Sequence, residues 1–162
     1  MKTGKFSQYA LEAERRKEFA LQKGNGLTGY GIIPHDLWRR IIPIARQYDK
    51  GNGDMATLYS YLVANVNGQP ENDRYMSAFK SVETIAAETG LSRNRIAPLS
   101  NALEAVGLLK TVYDYTGNKR EKLYYPQYYS DLTDEQMHEN MAEWKRIEDT
   151  KRIKKRKSPK SD

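Results

Sequence analysis

Apolar residues occur in blocks along this chain, and glycines and prolines separate the blocks. Residues 5–22 are rich in helix formers and contain neither glycine nor proline, so they predict a helix. The glycines between residues 24 and 31 end that helix and begin a loop. Residues 30–33 (YGII) indicate a short strand that ends at Pro34, because proline has no amide hydrogen to give to a ladder.

Two strongly apolar stretches follow and predict two further helices. The first is short and is interrupted or ended near Pro43. The second has apolar residues at helical spacing, which predicts a buried helix that stops at Asn67-Gly68. The apolar positions are Leu37, Trp38, Ile41, Ile42 and Ile44 in the first helix, and Met55, Leu58, Tyr59, Leu62, Val63 and Val66 in the second.

The segment from Ser81 to Leu109 is typical of a helix-turn-helix. Its first helix ends at Gly90, where a positive φ costs glycine nothing. Ser92 is the expected N-cap of the second helix, and Ile96 and Leu99 return that helix to the core. The side chains left facing outward are Arg93, Asn94, Ala97, Pro98 and Asn101.

Pro98 stands inside this second helix, where a proline costs about 3 kcal/mol and removes one backbone hydrogen bond. Two interpretations are open. Either the proline is a tolerated kink near the helix start, or the kink re-aims Arg93, Asn94 and Arg95 and leaves Ala97 and Pro98 as an apolar patch for thymine methyl groups.

Two β-rich runs, KTVYDY and KREKLYY, follow the second helix and flank Thr116-Gly117-Asn118. This pattern predicts a hairpin whose tip carries Lys119, Arg120 and Lys122. A helix-turn-helix followed by a basic hairpin is a winged helix, in which the second helix reads the major groove and the wing contacts the DNA backbone or the adjacent groove.

The C-terminal part of the chain predicts one more helix, from Leu132 to about Ile153. Thr133 and Gln136 fit a capping box at its start. Met137, Met141, Trp144 and Ile147 form an apolar stripe that predicts packing against the domain. We therefore expect a helical arm (1–24), which docks or dimerises, a winged helix-turn-helix domain (25–129), a C-terminal helix (130–153) and a disordered basic tail (154–162).

The net charge of +6 is confined to the end of the chain. Residues 1–150 contain 20 Lys and Arg and 20 Asp and Glu, whereas residues 151–162 contain seven basic residues and one acidic residue. The tail therefore predicts an arm that adds nonspecific affinity for DNA phosphates. Its cations within residues 151–157 are Lys151, Arg152, Lys154, Lys155, Arg156 and Lys157.

Composition excludes several other classes of protein. The chain has no cysteine, which excludes disulfides and thiol metal sites and fits a cytoplasmic protein. It has no apolar run of membrane-spanning length. Alternating tyrosines on a hairpin, here between residues 113 and 129, favour half-buried sheet surface over a nucleophile or a base-stacking platform. A tyrosine nucleophile of this kind would also need a metal cluster, and the two histidines, His35 and His138, are far apart in sequence. We expect no catalytic residue, metal or cofactor.

The stretches GYGIIPHDLW, TLYSYLVANV and SVETIAAETGLSRNRIAPLSNALEAVGLLK, with the hairpin, resemble a known family. They are similar to the N-terminal winged-helix domain of replication initiators and replisome organisers from plasmids and phages of Gram-positive bacteria. The likeness covers roughly residues 28–126. It implies binding of double-stranded DNA, often as a homodimer on repeated sites. The basic tail stands where longer initiators carry a second domain.

We therefore expect a sequence-specific DNA-binding protein of plasmid or phage replication initiation or maintenance. Two alternatives stay open: a transcriptional repressor of a mobile element, and a winged-helix interaction module that docks a replication or transfer protein. The expected DNA contacts, besides the tail, are Ser81, Ser92, Arg93, Asn94, Arg95, Ala97, Pro98, Asn101, Lys119, Arg120 and Lys122.

Overall fold

The chain divides into two compact units, residues 1–32 and residues 33–162. The first unit contains the helix α1 (Ser7–Leu21), within the range that the sequence predicts. Helices make up 57% of the structure and its sheet has two strands, so the predicted class, mostly α with a small β-sheet, is confirmed. The computed structural model describes residues 4–22, 29–50, 53–117 and 120–158.

The second unit is built around one hydrophobic core to which every helix and strand contributes a buried side chain. Its two strands pair antiparallel, from Leu109 opposite Pro126 to Asp114 opposite Glu121. The elements follow in the order π-helical turn (Leu37–Ile41), α2 (Ile42–Ala45), α3 (Asp54–Ala64), α4 (Val82–Thr89), α5 (Arg93–Ala105), β1 (Leu109–Asp114), β2 (Glu121–Pro126) and α6 (Asp134–Lys157).

The π-helical turn ends at Ile41, two residues before Pro43. In an α-helix, the ring of a proline collides with the carbonyl four residues earlier, which here belongs to Arg39. The wider turn, in which the amide of Ile42 donates to the carbonyl of Leu37, fits this constraint. The predicted interruption near Pro43 is therefore confirmed. Trp38 is 56% exposed and stays outside the core.

The strand predicted at residues 30–33 is wrong, because residues 29–34 form no regular element. An isolated residue, Ala78, is paired beside β2 instead. It forms an antiparallel bridge with Tyr124, with backbone N···O distances of 2.7 and 3.0 Å. The pairing partner of the hairpin thus comes from the segment between α3 and α4.

The turns around α5 follow the sequence signals closely. Gly90 has a φ of 76° and ends α4, as predicted. After α5, Gly107 has a φ of 80° and its amide donates to Glu104, while the amide of Leu108 donates to Leu103. These two bonds form a Schellman motif, with Leu103 and Leu108 both buried. The motif turns the chain from α5 directly into β1.

Helix α6 begins with the predicted capping box between Thr133 and Gln136. Arg40 anchors this end, because its guanidinium bonds Asp36 at 2.6 Å and Asp134 at 3.0 Å. The helix continues through Lys157, so the prediction of a disordered tail from residue 154 is wrong for residues 154–157. Within the described ranges, no helix combines the length and the apolar character that crossing a membrane requires.

Replacing Gly107 with alanine should destabilise the protein by about 2 kcal/mol or more, because an L residue is strained at this positive φ. A Cβ at this position would also lie 2.5 Å from Ser130 Oγ. That hydroxyl cannot move freely, since it donates to the carbonyl of Val106 at 2.6 Å. Urea unfolding measures the loss. Gly68→Ala is the control, because a Cβ at Gly68 meets no atom within 4 Å.

The stabilising effect of Asp36 should depend on pH. Hydrogen bonds from Arg40 lower the pKa of Asp36. Its contribution is therefore fully present above the unfolded pKa of about 3.9 and is lost as the pH falls through the lower folded-state pKa. Asp36→Asn should be less stable than wild type at neutral pH and at about pH 5, and the gap should narrow below about pH 3. A gap in the urea midpoint that stays constant down to that pH would contradict this assignment.

Candidate nucleic-acid interface

The first turn of α5 is fixed to the body by Arg95. Its guanidinium donates to Asp49 at 2.8 Å and to Asp54, at the start of α3, at 3.4 Å. The side chains of Arg95 and Asp49 are only 24% and 14% exposed. Together with Ile96 and Leu99, which are completely buried, this ion pair sets the orientation of α5. Arg95 is therefore engaged inside the protein, and we leave it out of the proposed DNA contacts.

Four of the predicted side chains of α5 are exposed: Arg93, Asn94, Ala97 and Asn101. We call these four residues the α5 strip. The guanidinium of Arg93 pairs with Glu83 of α4 at 2.7 Å, and both side chains are about two-thirds exposed (67% and 65%). Hydrogen bonds from its own backbone amide and from Arg93 lower the pKa of Glu83. Such an exposed pair can exchange for a phosphate or a base edge at little cost.

The two predicted serines lie at helix starts, with different roles. The Ser81 hydroxyl accepts the amide of Thr84 at 3.1 Å and so caps α4. Ser92 occupies the N-cap position of α5, but its hydroxyl makes no capping bond. The prediction that the Ser92 side chain caps α5 is therefore wrong, whereas the predicted position of Ser92 at the helix start is confirmed. Both residues are exposed.

Pro98 does not face open solvent. It is half-buried, and its carbonyl accepts a hydrogen bond of 2.9 Å from the indole Nε1 of Trp144 in α6. Asn140, one turn earlier in α6, donates to the carbonyl of Ala105 at 2.9 Å. The two helices therefore run antiparallel, and α6 covers one side of the outward face of α5. The expectation of an open outward surface at Pro98 is wrong.

The hairpin borders the other side of the α5 strip. The carboxylate of Glu104, on α5, accepts the amide of Thr111, on β1, at 2.9 Å. Tyr113 follows on the same face of β1 and pairs in register with Lys122. Arg120 stacks over the Tyr113 ring, 3.7 Å from its centroid. Lys119, the third predicted cation of the wing tip, lies outside the described residues.

The turn end of the hairpin is held by Arg74, from the loop between α3 and α4. Its guanidinium pairs with Asp114 of β1 and Glu121 of β2, and it stacks on Phe79. Hydrogen bonds from Thr116, together with Arg74, lower the pKa of Asp114. The sequence offers no local signal for this cluster, because Arg74 stands 40 residues from Asp114. It holds the wing against the body.

The clustered tyrosines have mixed surroundings. Tyr124 is buried, Tyr125 and Tyr128 are half-buried, and Tyr115 and Tyr129 are well exposed. The favoured interpretation as half-buried sheet surface is thus confirmed for part of the set. The two most exposed rings lie just after β1 and after β2, at the ends of the hairpin rather than on its paired face.

A groove of about 740 Å³ lies between the start of α5 and the end of α6. Residues 93–95, Ala97 and Pro98 line one wall. The other wall is formed by Glu148, Lys151, Arg152, Lys154 and Lys155. Lys151 pairs with Glu148 at 3.2 Å, whereas Arg152, Lys154 and Lys155 form no ion pair with any described residue. We call this space the α5–α6 groove. Its charge is strongly positive.

Replacing Arg95 with alanine should destabilise the protein by about 1–3 kcal/mol, because it leaves two partly buried carboxylates without their charged donor. Arg93→Ala is the matched control on the same turn and should leave the unfolding midpoint nearly unchanged, since its pair with Glu83 is exposed. Thermal and urea unfolding of both variants test this difference. Equal effects would show that Arg95 does not anchor α5.

Comparison with known proteins adds no relative to this description. No family model, no curated protein and no solved structure matches the chain. What the α5 strip and the α5–α6 groove bind must therefore be inferred from their own side chains, charges and positions.

Proposed function

We propose that this protein binds double-stranded DNA with sequence preference, through a winged helix-turn-helix formed by α3, α4, α5 and the hairpin. The order of elements supports this assignment: a helix, a short bridging segment at Ala78, two helices joined by a tight turn, and a hairpin. Within this arrangement α5 is the reading helix and the hairpin is the wing. The protein serves the replication or maintenance of a plasmid or phage.

One observation carries the proposal: the α5 strip lies between two cationic elements. The hairpin contributes Arg120 and Lys122 on one side, and the end of α6 contributes its unpaired cations on the other. DNA presents a base edge flanked by two phosphate backbones, so a reading element between two positive flanks has the matching charge pattern. A module that binds a neutral protein partner would not require positive charge on both sides of the contact surface.

The side chains of the α5 strip suit base recognition. Arginine makes bidentate contacts with guanine, asparagine makes them with adenine, and an exposed alanine suits the thymine methyl group. Arg93, Asn94 and Ala97 supply these three groups within two turns of helix. Since the pairing of Arg93 with Glu83 is exposed, a base can replace that carboxylate.

Selection of duplexes from a random pool by the full chain tests the proposal. We expect the recovered fragments to share a short sequence. Asn94→Ala should weaken binding to that sequence by about 1–3 kcal/mol, while leaving affinity for other duplexes nearly unchanged. Arg46→Ala, which removes an exposed cation outside the α5 strip and the α5–α6 groove, is the control and should not change the preference.

Recovered fragments without a common sequence, and no loss in the Asn94 variant, would contradict sequence recognition by α5. Selection from the DNA of the host element separates the biological roles. Repeated sites near a replication origin favour initiation, whereas sites over a promoter favour a repressor.

A further inference from the structure

We propose that the α5–α6 groove holds the phosphodiester backbone of one DNA strand, so that α5 and α6 straddle it. The inference rests on the proposed function and extends it. Under this inference the C-terminal cations have fixed positions on a helix, and only those that line the groove bind the strand. A disordered tail would instead use all of its cations equally.

The widths of helices and of the DNA groove support this arrangement. A helix with its side chains is about 10–12 Å wide, and two packed helices lie about 8–10 Å apart. The pair is therefore roughly 20 Å wide, whereas the major groove is about 12 Å wide and admits one helix. With α6 docked along its side, α5 can enter the major groove only if the backbone ridge passes between the two helices.

Helix α6 is fixed in this position. Met137 and Met141 are completely buried in the core, and the indole of Trp144 bonds the Pro98 carbonyl at 2.9 Å. Beyond Asp149, every described residue of α6 is exposed. The helix is thus anchored along its first half and projects past the start of α5 with its basic end.

The cations of this end are arranged by face. Lys151, Arg152 and Lys155 repeat at helical spacing and line the groove with Lys154, whereas Arg156 and Lys157 do not line it. The one carboxylate of the groove, on Glu148, is already paired with Lys151. A phosphate in the groove therefore meets Arg152, Lys154 and Lys155 as unpaired partners.

Two double variants of the full chain test the inference, because they remove equal charge from the same exposed helix end. Arg152→Gln with Lys155→Gln removes two cations of the groove, and Arg156→Gln with Lys157→Gln removes two cations outside it. Binding to a mixed-sequence duplex of about 30 bp, three helical turns, is measured over a range of salt concentrations.

We expect the groove variant to lose about 1.8 from the magnitude of the log–log salt slope, and on the order of 50-fold in affinity at about 0.1 M salt. The outside variant should lose several-fold less on both measures. Circular dichroism and the unfolding midpoint should match wild type for both variants, since all four side chains are exposed. Equal losses in the two variants would overturn the proposal that the groove holds a strand, and would leave the proposal of DNA binding intact.

A wild-type chain that shows no duplex binding would overturn the proposed function as well. If that chain were a dimer that only the groove variant dissociates, the groove would hold an acidic segment of a second copy instead of DNA.

A tethered cleavage reagent gives an independent readout. The chain has no cysteine, so Ala97→Cys and Thr150→Cys each provide one attachment point. From position 97, in the wall of the groove, cleavage should concentrate on a few nucleotides of one strand of the selected duplex. From position 150, which does not line the groove, it should be weak. Cleavage from position 97 that is as weak as cleavage from position 150 would exclude a strand held between the helices.

Discussion

The docking of α6 on α5 determines which surface of the helix-turn-helix can meet a partner. The Trp144 indole donates to the Pro98 carbonyl, and Asn140 donates to the Ala105 carbonyl, about two turns further along α5. The Pro98 carbonyl has a second lone pair and can accept this donor besides its helix bond, whereas the Ala105 carbonyl is at the last residue of α5, where the helix offers no donor. This docking covers one side of α5, so the surface of α5 that a partner can reach is the α5 strip, next to the hairpin.

Ion pairs divide the arginines of the body into structural and available groups. Arg40, Arg74 and Arg95 each bridge two carboxylates from different parts of the chain, and each has a side chain that is at most 30% exposed. They bind the start of α6, the hairpin and the start of α5 to the body. Arg93 and Arg120 are exposed and belong to the available group, as do the cations at the end of α6.

Local signals in the sequence predicted the local structure well. The capping box at Thr133, the left-handed turn at Gly90 and the return of Ile96 to the core depend on a few neighbouring residues, and all three are present. The pairing of Arg95 could not be predicted, because its partner Asp49 stands 46 residues earlier and charge alone does not reveal such a pairing. The prediction of a strand at residues 30–33 was wrong for the same reason. Whether a segment forms a strand depends on a pairing partner elsewhere in the chain, and the pattern of the segment itself does not reveal that partner.

Because α6 is one continuous helix, the number of residues between its docked part at Trp144 and its basic end determines which way the basic end faces. Each residue turns the helix by about 100°, so the side that Lys155 presents is fixed by its distance from Trp144. An exchange of lysine for arginine keeps that angle, whereas a single inserted residue would rotate the whole basic end to another side without altering its composition. The number of residues between Trp144 and the basic end is therefore constrained more tightly than the choice between lysine and arginine at that end.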